Sequence, residues 1–227
     1  VKLALFDLDH TLLPIDSDHA WGQFTLDIGW CDPGHFKARN DEFFAQYQAG
    51  ALDVHAYVRF ATEAIRLRGP QVAQAAREDF MRRIIGPALR PEALALVESH
   101  RAAGDQLVIV TATNEFITQP IAEAFGVREL VAVRLAGDNR GWITGEIDGV
   151  PSMREGKVTR MAQWLAERGL TWSDVDATFY SDSLNDLPLL EAVRHPVATN
   201  PDPRLRRIAA ERGWRILDLF GPPTPAA

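Results

Sequence analysis

The chain lacks what a membrane protein, a disulfide scaffold or a nucleic-acid binder would need. No apolar run approaches the roughly 20 residues of a spanning helix, which argues against a membrane partner. Cys31 is the single cysteine among 227 residues, so no internal disulfide can form, and a reducing compartment is consistent with that. Basic residues are outnumbered, 24 Lys and Arg against 31 Asp and Glu, for a formal net charge of -7. That balance argues against a nucleic-acid partner, which needs a basic face to displace counterions. It leaves an anionic small substrate open, because a metal ion and a few local cations reverse the field inside one cleft. Internal repeats and low-complexity tracts are also missing. The opening VKLALFDLDH meets acids at once, unlike a secretory signal, and a cytoplasmic location is expected.

What is present is the composition of a globular domain, 46% apolar and 24% charged. The length suits one core with a substantial insertion. Residues 3–6, 107–110 and 177–180 are short apolar runs that read as strands buried on both faces. Each runs straight into polar residues at its C-terminal end. Helical patterns separate the strands, as in PEALALVESHRAAG, where Pro91 suits the first turn and Gly104 the C-terminal cap. The expected fold is therefore α/β, a doubly wound, mostly parallel, Rossmann-like sheet with ligands outside the carboxyl ends of its strands.

The stretch 14–87 breaks the alternation. It reads as helices starting near Asp18, Pro33, Asp53 and Pro70 and running to about residues 28, 48, 68 and 85. Seventy-odd helical residues between the first two strands predict an inserted α-helical cap, leaving 1–13 and 88–227 as the catalytic core. Residues 130–135 and 142–147 read as a hairpin around the turn-rich 137–141. Short strands are expected at 197–199 and 215–217, and the tail GPPTPAA reads as an exposed end.

Chemistry is concentrated at the strand ends. Asp7 and Asp9 stand two apart after the first strand. Held together, two acids favour a bound cation or a shared proton, and a hard ion such as Mg²⁺ suits their oxygens. Two aspartates after a strand are equally what a turn would carry. Thr111 ends the second strand, Lys157 starts a helical pattern, and Asp182 and Asp186 follow the third strand. Together they supply a nucleophile, a proton carrier, metal ligands, and cationic and hydroxyl groups for phosphoryl oxygens.

This ordered set closely resembles the haloacid dehalogenase superfamily of phosphatases. The D-x-D-x-T motif matches Asp7-Leu8-Asp9-His10-Thr11, the strand-ending Ser or Thr matches Thr111, the lysine matches Lys157, and D-x-x-x-D matches Asp182 to Asp186. The helical insertion and the hairpin before Lys157 resemble the phosphoserine phosphatase-like branch. The resemblance implies that Asp7 attacks phosphorus and becomes an aspartyl-phosphate, while Asp9 protonates the departing alcohol and then activates water. It implies Mg²⁺ held by the Asp7 carboxylate, the Asp9 main-chain carbonyl and Asp182. Thr111 would donate to a phosphoryl oxygen, Lys157 would offset charge, and Asp186, with Asn185 beside it, would support them.

Thr111-Ala112-Thr113-Asn114 stands where phosphoserine phosphatases carry Ser-Gly-Gly, which moves the expected substrate away from phosphoserine. That form resembles a bacterial subgroup including histidinol phosphate phosphatases, so the partner is expected to be a small phosphorylated metabolite, foremost an amino-alcohol phosphate. Asp16 falls about where the branch places an acid for the substrate amino group, and Arg59 where it places a carboxylate-reading arginine. His10 and Asn114 complete the expected substrate residues. Trp21, Phe24, Phe43, Phe44 and Tyr47 read as cap core, Asp18 as a helix cap. Two other outcomes share these motifs: a phosphotransferase using the same intermediate, and a non-catalytic phosphate-binding or phospho-accepting signalling protein.

Overall fold

A computed structural model describes residues 1–48 and 51–221, the side chains of Phe44, Tyr47 and Gln48 aside. The tail 222–227 and the expected core rings of Phe44 and Tyr47 thus lie outside the described residues. In the first strand, β1 (Lys2–Phe6), Leu3 and Leu5 join one apolar cluster while Ala4 and Phe6 join another. A strand with period-two side chains and two buried faces belongs in the middle of a parallel sheet.

Helices α1 (Ser17–Asp27), α2 (Pro33–Gln48), α3 (Val54–Ala61), α4 (Glu63–Arg68), α5 (Pro70–Phe80) and the single turn α6 (Gly86–Ala88) follow β1. The chain continues with α7 (Pro91–Ala102), β2 (Gln106–Asn114), α8 (Glu115–Ala124), β3 (Glu129–Val133), β4 (Leu135–Gly137) and β5 (Ile143–Ile147). It closes with α9 (Glu155–Ala166), β6 (Asp176–Ser181), α10 (Leu187–Ala192), β7 (His195–Thr199), α11 (Pro203–Glu211) and β8 (Arg215–Leu217). The six-stranded sheet has the order β3-β2-β1-β6-β7-β8, and every pairing in it is parallel. Crossovers run both ways from β1, so the strand order reverses there, and the C-terminal ends of β1, β2 and β6 frame the crevice. This is the expected Rossmann-like sheet with an inserted helical cap.

The structure corrects several local expectations. The first helix is capped by Asp16, whose carboxylate accepts from the His19 N–H at 2.9 Å, and not by Asp18. The helix expected over 53–68 is interrupted at Thr62, whose hydroxyl bonds back to the Val58 carbonyl at 2.6 Å. The helix from Pro70 widens into a π turn, Met81–Ile85. Pro87 explains it, because a proline has no N–H for the preceding turn and its ring crowds the carbonyl four residues back. Finally, the strand expected over 130–135 belongs to two sheets. Residues 129–133 form the parallel edge strand β3, and only from Leu135 does the chain pair antiparallel with β5. Arg134, the one charged residue within 130–135, stands at the switch, but a single polar residue in a strand pattern does not by itself divide it between two sheets.

The hairpin β4–β5 supports the inserted helices. Gly145 has φ +90 and lies under Arg66, where a Cβ would come within 2.7 Å of the guanidinium Nε. A side chain there would be both strained and crowded. Trp21 packs edge-on against Phe80 and Phe116, joining the insertion to α8. No helix among the described residues is long and apolar enough to cross a membrane.

Candidate active site

Three strand ends and one helix start bring the predicted residues together. Asp7 leaves β1 with its N–H bonded to the Tyr180 carbonyl of β6 at 2.9 Å. Its carboxylate, 6% exposed, meets Lys157 at 2.8 Å through Oδ1 and the Thr11 hydroxyl at 3.2 Å through Oδ2. Lys157, 2% exposed at the start of α9, reaches Asp186 at 2.8 Å as well. Asp186 also accepts from Ser181 Oγ at 2.7 Å. Burial alone would lower the Lys157 ammonium, but Asp186 and then Asp7 outweigh it and hold the group charged far above its usual range.

Thr11 ties the first and fourth motifs. Its Oγ1 accepts from the Asp182 N–H at 3.0 Å and has one proton for two carboxylates, Asp7 and Asp182, both at 3.2 Å. Burial, then the charges of Asp7 and Asp186, push Asp182 up to about 9. A carboxylate so short of positive charge is a fitting ligand for a hard cation. Among the described residues no group of three or more His, Cys, Asp or Glu forms a metal cage. Mg²⁺ does not require one, since it is commonly held by one or two carboxylates with water and substrate phosphate.

Asp9 faces the insertion. Its Oδ1 accepts from the Ser17 N–H at 2.7 Å, in the first turn of α1, and its Oδ2 from the Thr113 hydroxyl at 2.8 Å. Burial, then the charge of Asp16, raises Asp9 to about 8. Thr111, 1% exposed, accepts from the Thr113 N–H at 3.1 Å, which leaves its own O–H to donate. Thr113 was not singled out from the sequence. Two residues beyond Thr111, it shares that strand face, and the period of two was the available signal.

Residues from the strand ends and the insertion line one cleft of about 880 Å³. Asn114, Asn185, His10 and Asp16 all stand on its wall, although Asp16 also serves as the helix cap. Arg59 does not line it; that guanidinium is half exposed and pairs with Glu146 of β5 at 3.2 Å. Its position on α3 faces the hairpin, so the register inferred for a carboxylate-reading arginine does not hold. Asp18, expected only to cap, lines the cleft with Tyr57, whose hydroxyl donates to it. Burial, then the charge of Asp16, raises Asp18 to about 7. Trp21, Phe24 and Phe43 are buried as expected of core, and Cys31 is a half-buried free thiol beside Thr25.

The loop after β1 passes through a left-handed residue. His10 has φ +56, a left-handed conformation that L residues rarely adopt. Asn200, itself at φ +47, holds it there by donating from Nδ2 to the His10 carbonyl at 2.9 Å. The same side chain accepts from the Leu219 N–H at 2.7 Å.

Known proteins resemble this chain in sequence and in fold. A haloacid dehalogenase-like hydrolase family model matches residues 4–191. A histidinol-phosphatase of Neisseria meningitidis serogroup C is 44% identical over 96% of this chain and 99% of its own. A crystal structure of a Bordetella pertussis protein with unknown function superimposes with a TM-score of 0.91 at 48% identity, covering 96% and 99% of the two chains. A substrate-bound phosphoserine phosphatase shares the fold at 17% identity, with a TM-score of 0.64 over 96% of this chain and 92% of that one. Matched by the family over most of its length and by a near-full-length relative, the chain belongs to the haloacid dehalogenase-like hydrolases.

Proposed function

We propose that the protein is a Mg²⁺-dependent phosphomonoesterase working through an aspartyl-phosphate on Asp7, with an amino-alcohol phosphate, foremost histidinol phosphate, as substrate. The observation that carries this reading is the buried Asp7 carboxylate held between Lys157 and Thr11 at the end of the central strand. The near-full-length relative called histidinol-phosphatase supports the substrate. We take 14–87 as the cap domain over a core of 1–13 and 88–227, in a cytoplasmic enzyme.

An oxygen of Asp7 attacks phosphorus, the bond from phosphorus to the substrate alcohol breaks, and Asp9 gives its proton to the departing oxygen. A carboxyl raised to about 8 still carries that proton at neutral pH. Asp9, now a carboxylate, takes a proton from water, which attacks the phosphoryl group and frees Asp7. Lys157 offsets charge at Asp7, and the Thr111 O–H donates to a phosphoryl oxygen. Asp7, Asp182 and the Asp9 carbonyl would hold Mg²⁺, which when bound would supply charge neutralisation for the phosphate. A doubly wound sheet without catalysis would serve a phospho-accepting domain, but such a domain needs no residue in the place of Asp9.

The deciding measurement is phosphate release from histidinol phosphate, phosphoserine and simple sugar phosphates, with Mg²⁺ and with chelator. Release is expected only with the metal, and no release from any ester would sink the reading. Adding alcohol acceptors tests transfer in place of hydrolysis. A second expectation concerns Asp9. For alkyl phosphates the rate should fall as pH rises through about 8, where Asp9 loses its proton. With p-nitrophenyl phosphate, whose leaving group needs no acid, that limb should be missing. Thr113→Val, which removes a hydrogen bond to Asp9, should lower alkyl phosphate turnover about tenfold, because a mis-set proton donor forfeits part of general acid catalysis.

A further inference from the structure

The cleft is lined by further acceptors beside the residues already described. Asp16 is engaged by the His19 N–H, but Asp18 lies further into the first turn of α1 and lines the cleft. One Asp18 oxygen takes the Tyr57 hydroxyl, and no Lys or Arg pairs with the carboxylate among the described residues. Asn114, 4% exposed at the end of β2, lines the same cleft, and its Oδ1 is buried with no hydrogen-bond partner. A buried acceptor left unpaired costs stability unless a ligand supplies a donor. Val54, Val58 and Ile84 line the same cleft and suit methylenes or a ring face.

The cations of the cleft stand elsewhere. Lys157 sits between Asp7 and Asp186, and Arg154 lies against Asn185, both at the phosphate end. Arg59 is turned to Glu146. His10 and His19 also line the cleft, but both are exposed and neither pairs with Asp16 or Asp18 through its ring. A substrate carboxylate beside Asp16 and Asp18 would therefore meet no Lys or Arg, while an ammonium or a ring N–H would find acceptors there.

We infer that Asp18, steadied by Tyr57, and Asn114 form the subsite for the substrate's non-phosphate end and select cationic alcohols that carry no carboxylate. This rests on the phosphomonoesterase reading above. Asp18 binds the cation, Asn114 Oδ1 takes a second N–H, and repulsion from Asp16 and Asp18 rejects amino acids.

The test compares kcat/KM for histidinol phosphate, phosphoserine and p-nitrophenyl phosphate in the wild type and in Asp18→Asn. The wild type should prefer histidinol phosphate to phosphoserine by about a hundredfold or more, since a buried mismatched charge discriminates strongly. Asp18→Asn should lower the ratio of histidinol phosphate to p-nitrophenyl phosphate by about tenfold or more, as loss of a charge-assisted hydrogen bond would. Histidinol, as an inhibitor of p-nitrophenyl phosphate hydrolysis, should weaken by a similar factor. Tyr57→Phe, which keeps the carboxylate, should move both readouts the same way but less. A wild type that favours phosphoserine, or an Asp18→Asn ratio and histidinol inhibition that stay put, overturns the subsite while the phosphatase reading stands. Inertness toward all three esters overturns that reading and the subsite with it.

Discussion

Asp7→Asn is expected to abolish phosphate release and leave the protein folded. The amide keeps the volume of the carboxylate and an oxygen for Lys157, now 2.8 Å away. What it loses is the anionic oxygen that bonds phosphorus, and removing a nucleophile costs turnover at least about a thousandfold. The site is crowded with acids, and the charge of Asp7 is among the causes that raise both Asp182 and Asp186. Deleting it relieves repulsion at Asp182 and Asp186 and removes one of two carboxylates from Lys157, which keeps Asp186 at 2.8 Å, so the metal-free variant should stay folded with a melting temperature close to the wild type's. Phosphate release and thermal unfolding on one preparation check both halves. Activity near the wild-type level in a folded variant would remove Asp7 from the role of nucleophile.

Lys157→Met should damage both activity and stability. The ammonium is the buried partner of two carboxylates, and a methionine fills similar space while leaving Asp7 and Asp186 unpaired. Breaking a buried ion pair by removing one partner costs about 3–5 kcal/mol. The pH dependence has a definite sign. Asp186 is raised to about 6 by burial, with Lys157 the leading influence in the other direction. Without the lysine its folded pKa rises further. A raised carboxyl contributes stability that is full below its unfolded value and is lost as pH rises through its folded value. The stability gap between variant and wild type should therefore be small near pH 5 and widen toward pH 8. Denaturant unfolding across that range measures it; a gap independent of pH would mean that Asp186 does not titrate in the variant.

Much of this site was legible because its chemistry is carried by residue types at strand ends. Asp7, Thr111 and Asp182 follow short apolar runs bounded by polar residues, the pattern of buried strands, and Lys157 opens a helix whose apolar residues Met161, Trp164 and Leu165 recur at helical spacing. The period of a strand would also have given Thr113. What could not be read is orientation across the insertion. Arg59 and Asp18 sit on different helices, and which one faces the cleft depends on how those helices rest on the hairpin. Asp16 and Asp18 are both plausible caps two residues apart, and only the observed start of α1 decides between them. The split of 129–137 into two sheets and the π turn before Pro87 belong to the same class, since each depends on packing partners distant in sequence.

Asn200 has a consequence for the order in which the molecule is made. Its side chain joins the carbonyl of His10, near the first end of the chain, to the N–H of Leu219, near the other. During synthesis β1 emerges early, yet the bond that holds the His10 carbonyl forms only after some 190 further residues have followed. Asp7 is thus synthesised long before the turn that follows it is locked. Assembly of the reactive centre is a late event, set by the docking of β8 and the segment after it.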